Sequence, residues 1–427
     1  MKFSINNCYW KNIENIYFYL FHAFFILLLS PYWKATNVVF MLICLVWLSS
    51  GHWQEKWKNF VSHSPSNWLF GVFALYHVVS LLYSDNVYAG IKECEKKITY
   101  LLFPIFISSI NISSLKKIRL LKNIPLILGL VFVIACALAS YHYFAQNNAF
   151  AFYNAYLVGF TGKHPATIGL YVNFAIFIVL EFWRLGYFSS KEKILFLYIL
   201  TPLLLVFVFL QGTRLPILSL GFALFLYALV VLRNHISWKT QGSIFAGLLL
   251  FFMALAYFAP TITNRLISTK NLDIHWENTN PVNNHFGSVV KDENWEGPAL
   301  RKAKAICAMD KIKQAPWFGY GIGDSYEELQ KAYADRHFLH AVEAKYSVHN
   351  QFLNILMAFG FFGMAIFFLG FASSFYKAYQ DRNVLYFFFV LLVFLAMTSE
   401  DLLMMHQGIL FFTFFNAFLL YPKQNFA

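Results

Sequence analysis

Charged residues are scarce in this sequence. Only 13% of its 427 residues are Asp, Glu, Lys or Arg, whereas soluble globular domains carry about 25%. Hydrophobic residues make up 59% of the chain, including 50 Phe and 25 Tyr, and the mean hydropathy is +0.53. This composition excludes an ordinary soluble domain. It indicates an all-α polytopic membrane protein, because abundant aromatic side chains suit lipid-facing helices and interface belts.

The chain also lacks the motifs of disulfide, metal and nucleotide chemistry. No two of its cysteines form a CxxC pair, and HExxH, DxD and the GK[ST] ending of a phosphate-binding loop are missing. The GYGIG run at 319–323 follows no predicted strand, so it is predicted to be a bend between two helices. Neither a disulfide framework, a metal site nor a cofactor is predicted. The five cysteines are Cys8, Cys44, Cys94, Cys136 and Cys307.

Long apolar runs alternate with polar connections along the chain. A helix needs about 20 apolar residues to cross a bilayer core, and twelve runs approach that length. This predicts about twelve transmembrane helices: about nine in residues 1–260, then a large loop over 261–348, then about three in 349–427. The predicted spans are roughly 15–32, 35–50, 67–84, 98–112, 121–143, 165–183, 193–210, 215–232, 243–260, 350–370, 384–399 and 405–421.

Lys and Arg residues are concentrated in alternate connections. If the N-terminus is cytoplasmic, the cytoplasmic connections contain most of them, for example Lys116, Lys117, Arg119 and Lys122. Positive connections stay in the cytoplasm, so both termini are predicted there and the loop 261–348 on the periplasmic side. The net charge of +12 is then a topology signal. A nucleic-acid partner is not predicted, since no basic patch is interleaved with solvent-side aromatics.

The loop 261–348 is the only long polar stretch, and loops of this length are usually functional. Its first part, 261–297, is rich in Asn, Asp and Gly and is predicted to be irregular. Residues 298–314 carry apolar side chains at helical spacing, which predicts an amphipathic helix. A second, polar helix is predicted at about 324–336, so the loop should be partly helical.

Arg214 lies in a short turn between two apolar runs, in the stretch QGTRLPILSL. A charge beside hydrocarbon usually has an anionic ligand or a carboxylate partner, although it can also extend to lipid headgroups. Thr213 and Pro216 resemble the start of the next helix, whose N-terminus would attract an anion as well. Arg214 is therefore a candidate for binding an anionic group.

Arg301 and His349 lie in and just after the large loop. Taken alone, Arg301 could simply lie on a helix surface that faces solvent or lipid headgroups. His349 could likewise be an interfacial residue that caps the helix predicted to begin at about Asn350. An imidazole can nevertheless accept a proton near neutral pH, which an amide cannot. Two arginines and one histidine on the outer side together predict an anion-binding site beside a proton acceptor.

Three motifs resemble the O-antigen ligase and polymerase superfamily of bacterial membrane glycosyltransferases. Their order and their placement around one large extracytoplasmic loop match the family over roughly the whole chain. Two further stretches, 81–104 and 162–176, also resemble family members. The motifs are the turn with Arg214, the helix and glycine turn from Arg301 through Pro316, Gly319, Gly321 and Gly323, and the run of His349, Asn350, Leu353, Gly360 and Gly363.

The resemblance implies that a glycan is transferred from undecaprenyl diphosphate to a hydroxyl of lipid A-core, with inversion and without metal or ATP. It implies a bacterial inner-membrane enzyme whose active site faces the periplasm. Arg214 and Arg301 would stabilise the diphosphate leaving group, and His349 would either accept the hydroxyl proton or bind the diphosphate. The implied catalytic residues are His349, Arg214 and Arg301, and the implied substrate-binding residues are Arg214, Arg301, Asn350, His164 and Lys97.

Other functions stay open at this point. An O-antigen polymerase or a protein O-oligosaccharyltransferase would share the donor and differ in the acceptor. A transporter of lipid-linked glycan is the alternative from another class, but transporters usually contain inverted repeats, and the sequence shows no internal repeat. The predicted partners are the lipid-linked donor, lipid A-core and membrane lipids.

Overall fold

The computed structural model describes residues 2–32, 34–62, 65–110, 112–234 and 297–420, with a few residues between 237 and 295. This part of the chain folds into helices and turns without a β-strand, which confirms the all-α prediction. The predicted span at 243–260 and the irregular segment 261–297 lie largely outside the described residues.

Within each described range, the helices follow one another through short connections. A 3₁₀ turn at Ser80–Tyr83 extends the fourth helix, and a π-helical stretch at Ile194–Leu200 lies within the tenth. In chain order, the helices are α1 (Lys2–Leu29), α2 (Ala35–Ser49), α3 (Trp53–Ser62), α4 (Pro65–Val79), α5 (Val87–Lys97), α6 (Thr99–Ser109), α7 (Ser114–Gln146), α8 (Asn154–Val158), α9 (Pro165–Arg184), α10 (Ser190–Leu210), α11 (Arg214–Val230), α12 (Gly297–Gln314), α13 (Ser325–Asp335), α14 (Leu339–Glu343), α15 (Gln351–Gln380), α16 (Val384–Ala396) and α17 (His406–Leu419).

Several of these helices are suited to a bilayer by length and composition. Among the described residues, five are long and apolar enough to cross a membrane: α1 from Asn12, α7, α9, α10 and α15. Shorter apolar helices occur at Ala35–Ser49, Trp68–Tyr83, Arg214–Val230 and Val384–Ala396. All of them fall on predicted spans, so the chain is a multi-pass membrane protein; the number twelve stays a prediction.

Helix α9 forms the centre of the bundle. Nearly all of its side chains are buried, and α7, α10, α11 and α16 pack against it. Contacts between aromatic rings hold these helices together: Phe177 of α9 stacks on Phe388 of α16 with ring centroids 4.7 Å apart. Close packing must stabilise the association of these helices, because the hydrophobic effect does not drive helices together in lipid as it does in water. The packed bundle thus positions the residues at its ends.

Residues 297–343, in the second half of the predicted loop, fold onto one end of the bundle. Helices α12, α13 and α14 share a small core that includes Leu300, Cys307, Tyr333 and Phe338, and Met357 of α15 joins it. The helices predicted at 298–314 and about 324–336 correspond to α12 and α13, whereas the five-residue α14 was not predicted. We call α12 to α14 the helical cap.

The glycine turn after α12 docks onto a break in α15. The break is at Gly360, which has φ = 60°. Backbone N–H groups of the turn donate to carbonyls before the break, and N–H groups after the break donate to carbonyls of the turn. At membrane depth such irregular backbone must be satisfied by protein, so the predicted bend also anchors the cap. The bonds are Tyr320 to Met357 (2.9 Å), Gly321 to Ala358 (2.9 Å), Phe361 to Pro316 (2.8 Å) and Phe362 to Trp317 (3.1 Å).

We expect Gly360→Ala to destabilise the protein. With ψ = −161° as well, Gly360 lies in a region essentially restricted to glycine, where another residue costs about 1–3 kcal/mol, and the added Cβ would overlap the backbone of Trp317. The midpoint of thermal unfolding in detergent should fall by roughly 5 °C or more. Gly221→Ala in α11 is the control, because nothing lies within 4 Å of its added Cβ. Equal midpoints for the two variants would show that the docked turn contributes no stability.

Candidate functional site

A buried carboxylate, Glu400, lies at the centre of the candidate site. It belongs to the turn between α16 and α17, and its side chain is 12% exposed. Its Oε1 lies 3.6 Å from Nη2 of Arg301 and 3.9 Å from Nδ1 of His164. Its Oε2 lies 3.9 Å from Nδ1 of His349. Three residues singled out in separate parts of the sequence therefore converge on one carboxylate.

The charge of Glu400 is set by opposing effects. Burial raises its pKa, but the polar interaction with His349 and the charges of His164 and Arg301 together lower the pKa below the ordinary value. Glu400 is therefore ionised at neutral pH and balances the surrounding cationic groups. The partners themselves are accessible: the side chains of Arg301, His164 and His349 are 48%, 54% and 39% exposed.

The neighbouring Asp401 fixes the backbone of His349. His349 has φ = 55°, a left-handed conformation that is uncommon for a side-chain-bearing residue. Its backbone N–H donates to Oδ2 of Asp401 at 2.9 Å, and Asp401 is 5% exposed. The turn thus fixes the main chain of His349 through Asp401 and places the carboxylate of Glu400 beside its imidazole.

Asn350 uses its side-chain amide within the protein. Its Oδ1 accepts from the N–H groups of Phe352 and Leu353 at 3.0 and 3.1 Å and so caps α15. Its Nδ2 donates to the carbonyl of Thr398 at 2.9 Å. Because both ends of the amide are engaged, this geometry favours a role in joining α15 to the turn of Glu400 over the direct substrate contact expected from the sequence.

Lys97 supports the same turn from α5. Lys97 is 2% exposed. Its Nζ donates a hydrogen bond to the carbonyl of Leu403 and lies 3.5 Å from Sδ of Met404. Burial lowers the pKa of Lys97 to about 8. The structure therefore brings Lys97 close to the candidate site but directs its ammonium group at the backbone of the turn, which favours positioning over substrate binding.

Lys304 is a buried cation that the sequence did not single out. It lies one helical turn after Arg301, is 1% exposed, and its Nζ sits 3.8 Å from the ring centroid of Tyr346. Burial lowers the pKa of Lys304 to about 7, although the charge of Asp401 acts in the opposite direction. A cation–π contact of this kind stabilises a buried ammonium group and ties α12 to the segment before His349.

Arg214 lies at the start of α11, as predicted, with Thr213 in extended conformation before it. Its side chain is half-buried. The next two residues, Leu215 and Pro216, line a narrow cavity that also contains Glu400. The arginine turn is therefore next to the space that reaches the central carboxylate.

The cluster is chemically suited to anions. Its exposed groups are a guanidinium and two imidazoles, whose common carboxylate partner is 3.6–3.9 Å away. These distances exceed the roughly 2.8 Å of a tight charge-assisted hydrogen bond, so an entering anion can compete for the guanidinium of Arg301. Nδ1 of His164 also accepts the backbone N–H of Ala166 at 3.4 Å, which leaves Nε2 to face a ligand. Among the described residues, no three His, Cys, Asp or Glu side chains are arranged to hold a metal ion.

Glu400 and Asp401 are the functional candidates that the sequence reasoning missed. They stand in the short turn between two predicted spans, 384–399 and 405–421. The cost of a charge beside hydrocarbon, which drew attention to Arg214, applies equally to them. That signal could have identified the pair.

A comparison with protein families agrees with the motifs. Residues 199–368 match the family model described as O-antigen ligase. The matched region starts before the arginine turn, spans the large loop and ends in α15, so it includes Arg214, Arg301 and His349. A search among curated proteins finds no match to the chain. The match over residues 199–368 supports the O-antigen ligase superfamily of ligase- and polymerase-type membrane glycosyltransferases, to which the motifs are similar.

Proposed function

We propose that the protein is an O-antigen ligase that transfers a glycan from undecaprenyl diphosphate to a hydroxyl of lipid A-core. The site would face the periplasm of a bacterial inner membrane. The observation that carries the proposal is the convergence of Arg301, His164 and His349 on Glu400 at the end of the bundle covered by the helical cap. Arg214, Arg301 and His349 would be the catalytic residues.

The donor's diphosphate would bind at the exposed guanidinium of Arg301, with His164 beside it. Arg301 is held only loosely by Glu400, and Arg214 begins a helix that adjoins the same cavity. Negative charge grows on the diphosphate as the bond to the sugar breaks, and fixed guanidinium groups stabilise such charge. Because the diphosphate ester supplies the energy of transfer, the proposed reaction requires neither ATP nor a metal.

His349 would take part in the displacement itself. The acceptor hydroxyl oxygen attacks the anomeric carbon, the carbon–oxygen bond to phosphate breaks, and undecaprenyl diphosphate leaves with the electron pair. Nδ1 of His349 is on the side of Glu400, so Nε2 is the atom that would take the hydroxyl proton. The other role consistent with this geometry is a protonated His349 that donates a hydrogen bond to the diphosphate.

A gene deletion tests the proposal against its closest alternatives. A ligase predicts lipopolysaccharide without polymer, together with accumulation of polymer on the lipid carrier. A single repeat remaining on the core would instead identify a polymerase. Unchanged lipopolysaccharide with loss of protein glycosylation would identify a protein O-oligosaccharyltransferase.

Glu400→Gln should lower the rate of transfer at saturating donor by roughly tenfold or more, a part of the 10²–10⁴ that positioned acid–base groups contribute. The amide keeps the size of the side chain but removes the charge that orients His349. Glu400→Asp, which keeps the charge, should retain more activity than Glu400→Gln.

The control for this variant is Glu343→Gln, an exposed glutamate of the helical cap. It should transfer glycan at the rate of the unmodified protein. If Glu400→Gln were as active as this control at equal amounts of membrane-inserted protein, Glu400 would have no positioning role.

A further inference from the structure

A second cavity lies at the end of the bundle opposite the candidate site. Ser30, which follows α1, is close to the site: its carbonyl accepts from Nζ of Lys163 at 2.8 Å, and His164 comes next. Glu14 is roughly 24 Å from Ser30 along α1, at 1.5 Å rise per residue. The cavity beside Glu14 has a volume of about 300 Å³, which is enough for a small polar group.

Polar side chains of both charge signs line this cavity. They come from α1, from the connection after α2 and from α3, while the end of α6 closes the remaining wall. Such a lining differs from the apolar surface that faces lipid. The polar residues that matter here are Glu14, Ser50, His52, Glu55, Lys56 and Asn59.

Lys56 is the buried cation of this cavity. It is 7% exposed, and its Nζ donates to the carbonyl of Trp47 and, at 2.8 Å, to Oγ of Ser50. The indole rings of Trp47 and Trp53 lie 4.4 and 5.0 Å from Nζ. An ammonium group has three donors, so the protein satisfies two of them by hydrogen bonds and surrounds the charge with aromatic faces.

The charge of Lys56 has no counterion within the described residues, where no carboxylate oxygen lies within 4.0 Å of its Nζ. Buried charges are normally paired with an opposite charge. Burial lowers the pKa of Lys56, and an anion in the cavity would remove that penalty. Glu14 is already engaged by Lys116 at 3.0 Å and by the backbone N–H of Ser113.

Helix α3 places this cavity at the level of lipid headgroups. It is a polar helix between the apolar α2 and α4, and it exposes Trp53 and Trp57 by 51% and 61%. Tryptophan side chains concentrate at the membrane–water interface. The exposed carboxylate of Glu55 stands beside Lys56 on the same helix and lines the same cavity.

We propose that this cavity binds the headgroup of a phospholipid from the leaflet opposite the candidate site. The phosphate lies against the ammonium group of Lys56, and a headgroup amine lies against Glu55. An inorganic phosphate ion shares the first contact but has no amine for the second. An aminophospholipid headgroup carries both a negative phosphate and a positive amine, which match the charges of Lys56 and Glu55.

The test uses the full-length protein, delipidated in detergent and examined by native mass spectrometry. Phosphatidylethanolamine, phosphatidylglycerol and inorganic phosphate are titrated separately. The unmodified protein should retain phosphatidylethanolamine best. Lys56→Met should weaken retention of both lipids roughly tenfold, the size expected when a charge-assisted contact is lost, whereas Lys58→Met, an exposed lysine on the same helix, should not.

Glu55→Gln provides a second test at an exposed position, where folding is not at risk. It should abolish the preference for phosphatidylethanolamine over phosphatidylglycerol and leave the retention of phosphatidylglycerol unchanged. Equal lipid retention by Lys56→Met and the unmodified protein would overturn the proposal, as would an unaltered lipid preference in Glu55→Gln. Retention of inorganic phosphate without retention of either lipid would also overturn it, in favour of a soluble anion.

Discussion

Replacing His349 with asparagine is expected to lower glycan transfer by about 100-fold or more, the lower end of what acid–base groups contribute. After glycine, asparagine is among the residues that best tolerate the positive φ of this position, and it cannot accept a proton near neutral pH. The amount of protein in the membrane and its thermal midpoint should therefore stay unchanged. The measurement is the initial rate of transfer from a purified lipid-linked glycan.

His337→Asn is a matched control for this substitution. His337 also has positive φ, at 53°, and lies exposed in the helical cap, between α13 and α14. It should retain full activity. If both variants were equally active, a direct role of His349 in transfer would be ruled out.

The pH dependence of transfer separates the two roles of His349. A general base must be neutral, so this role predicts a rate that rises with pH and then levels off. A phosphate-binding imidazolium must be charged, so that role predicts a rate that falls as the pH rises. We expect the first result because Glu400 lies next to Nδ1 and leaves Nε2 as the acceptor.

Replacing Arg301 with alanine is expected to lower the rate of glycan transfer about as much as replacing His349 with asparagine. Removing one preorganised donor from a developing negative charge typically lowers the rate by about 10²–10³. The loss should appear in the maximal rate more than in the half-saturating donor concentration, because the diphosphate gains its additional negative charge only as the bond to the sugar breaks. Arg301→Lys should have intermediate activity, since lysine keeps the charge but not the bidentate geometry.

Lys313→Ala is the control for Arg301→Ala. It removes an exposed positive charge near the other end of α12 and should leave transfer unchanged. Near-normal transfer by Arg301→Ala would contradict the proposal that Arg301 binds the diphosphate.

The helices of this protein could be predicted from the sequence because hydropathy is a local property. The spans that begin near Arg214 and Gln351 start where the turn residues indicated. The break at Gly360 could not be predicted, because it depends on hydrogen bonds to the distant glycine turn. Helix α14 and the short α5 were missed for the related reason that brief polar helices are stabilised by tertiary contacts.

The candidate site was predictable only in part. Charge next to an apolar run and the family motifs selected Arg301, His164 and His349, which the structure brings together around Glu400. Residue type could not reveal that the side chains of Asn350 and Lys97 are engaged within the protein, since their partners Thr398 and Leu403 belong to a turn far along the chain. Glu400, the central residue of the site, was not predicted. The cost of placing a charge beside hydrocarbon, which identified Arg214, would have identified Glu400 as well.

The most direct test of the central claim is reconstitution of transfer. Purified protein would be mixed with undecaprenyl diphosphate-linked glycan and lipid A-core, without ATP, and the product separated by electrophoresis. Glycan joined to lipid A-core by the unmodified protein, and about 100-fold less by Arg301→Ala, is the predicted result. Movement of the donor between leaflets without any transfer would contradict the enzyme proposal and identify a transporter.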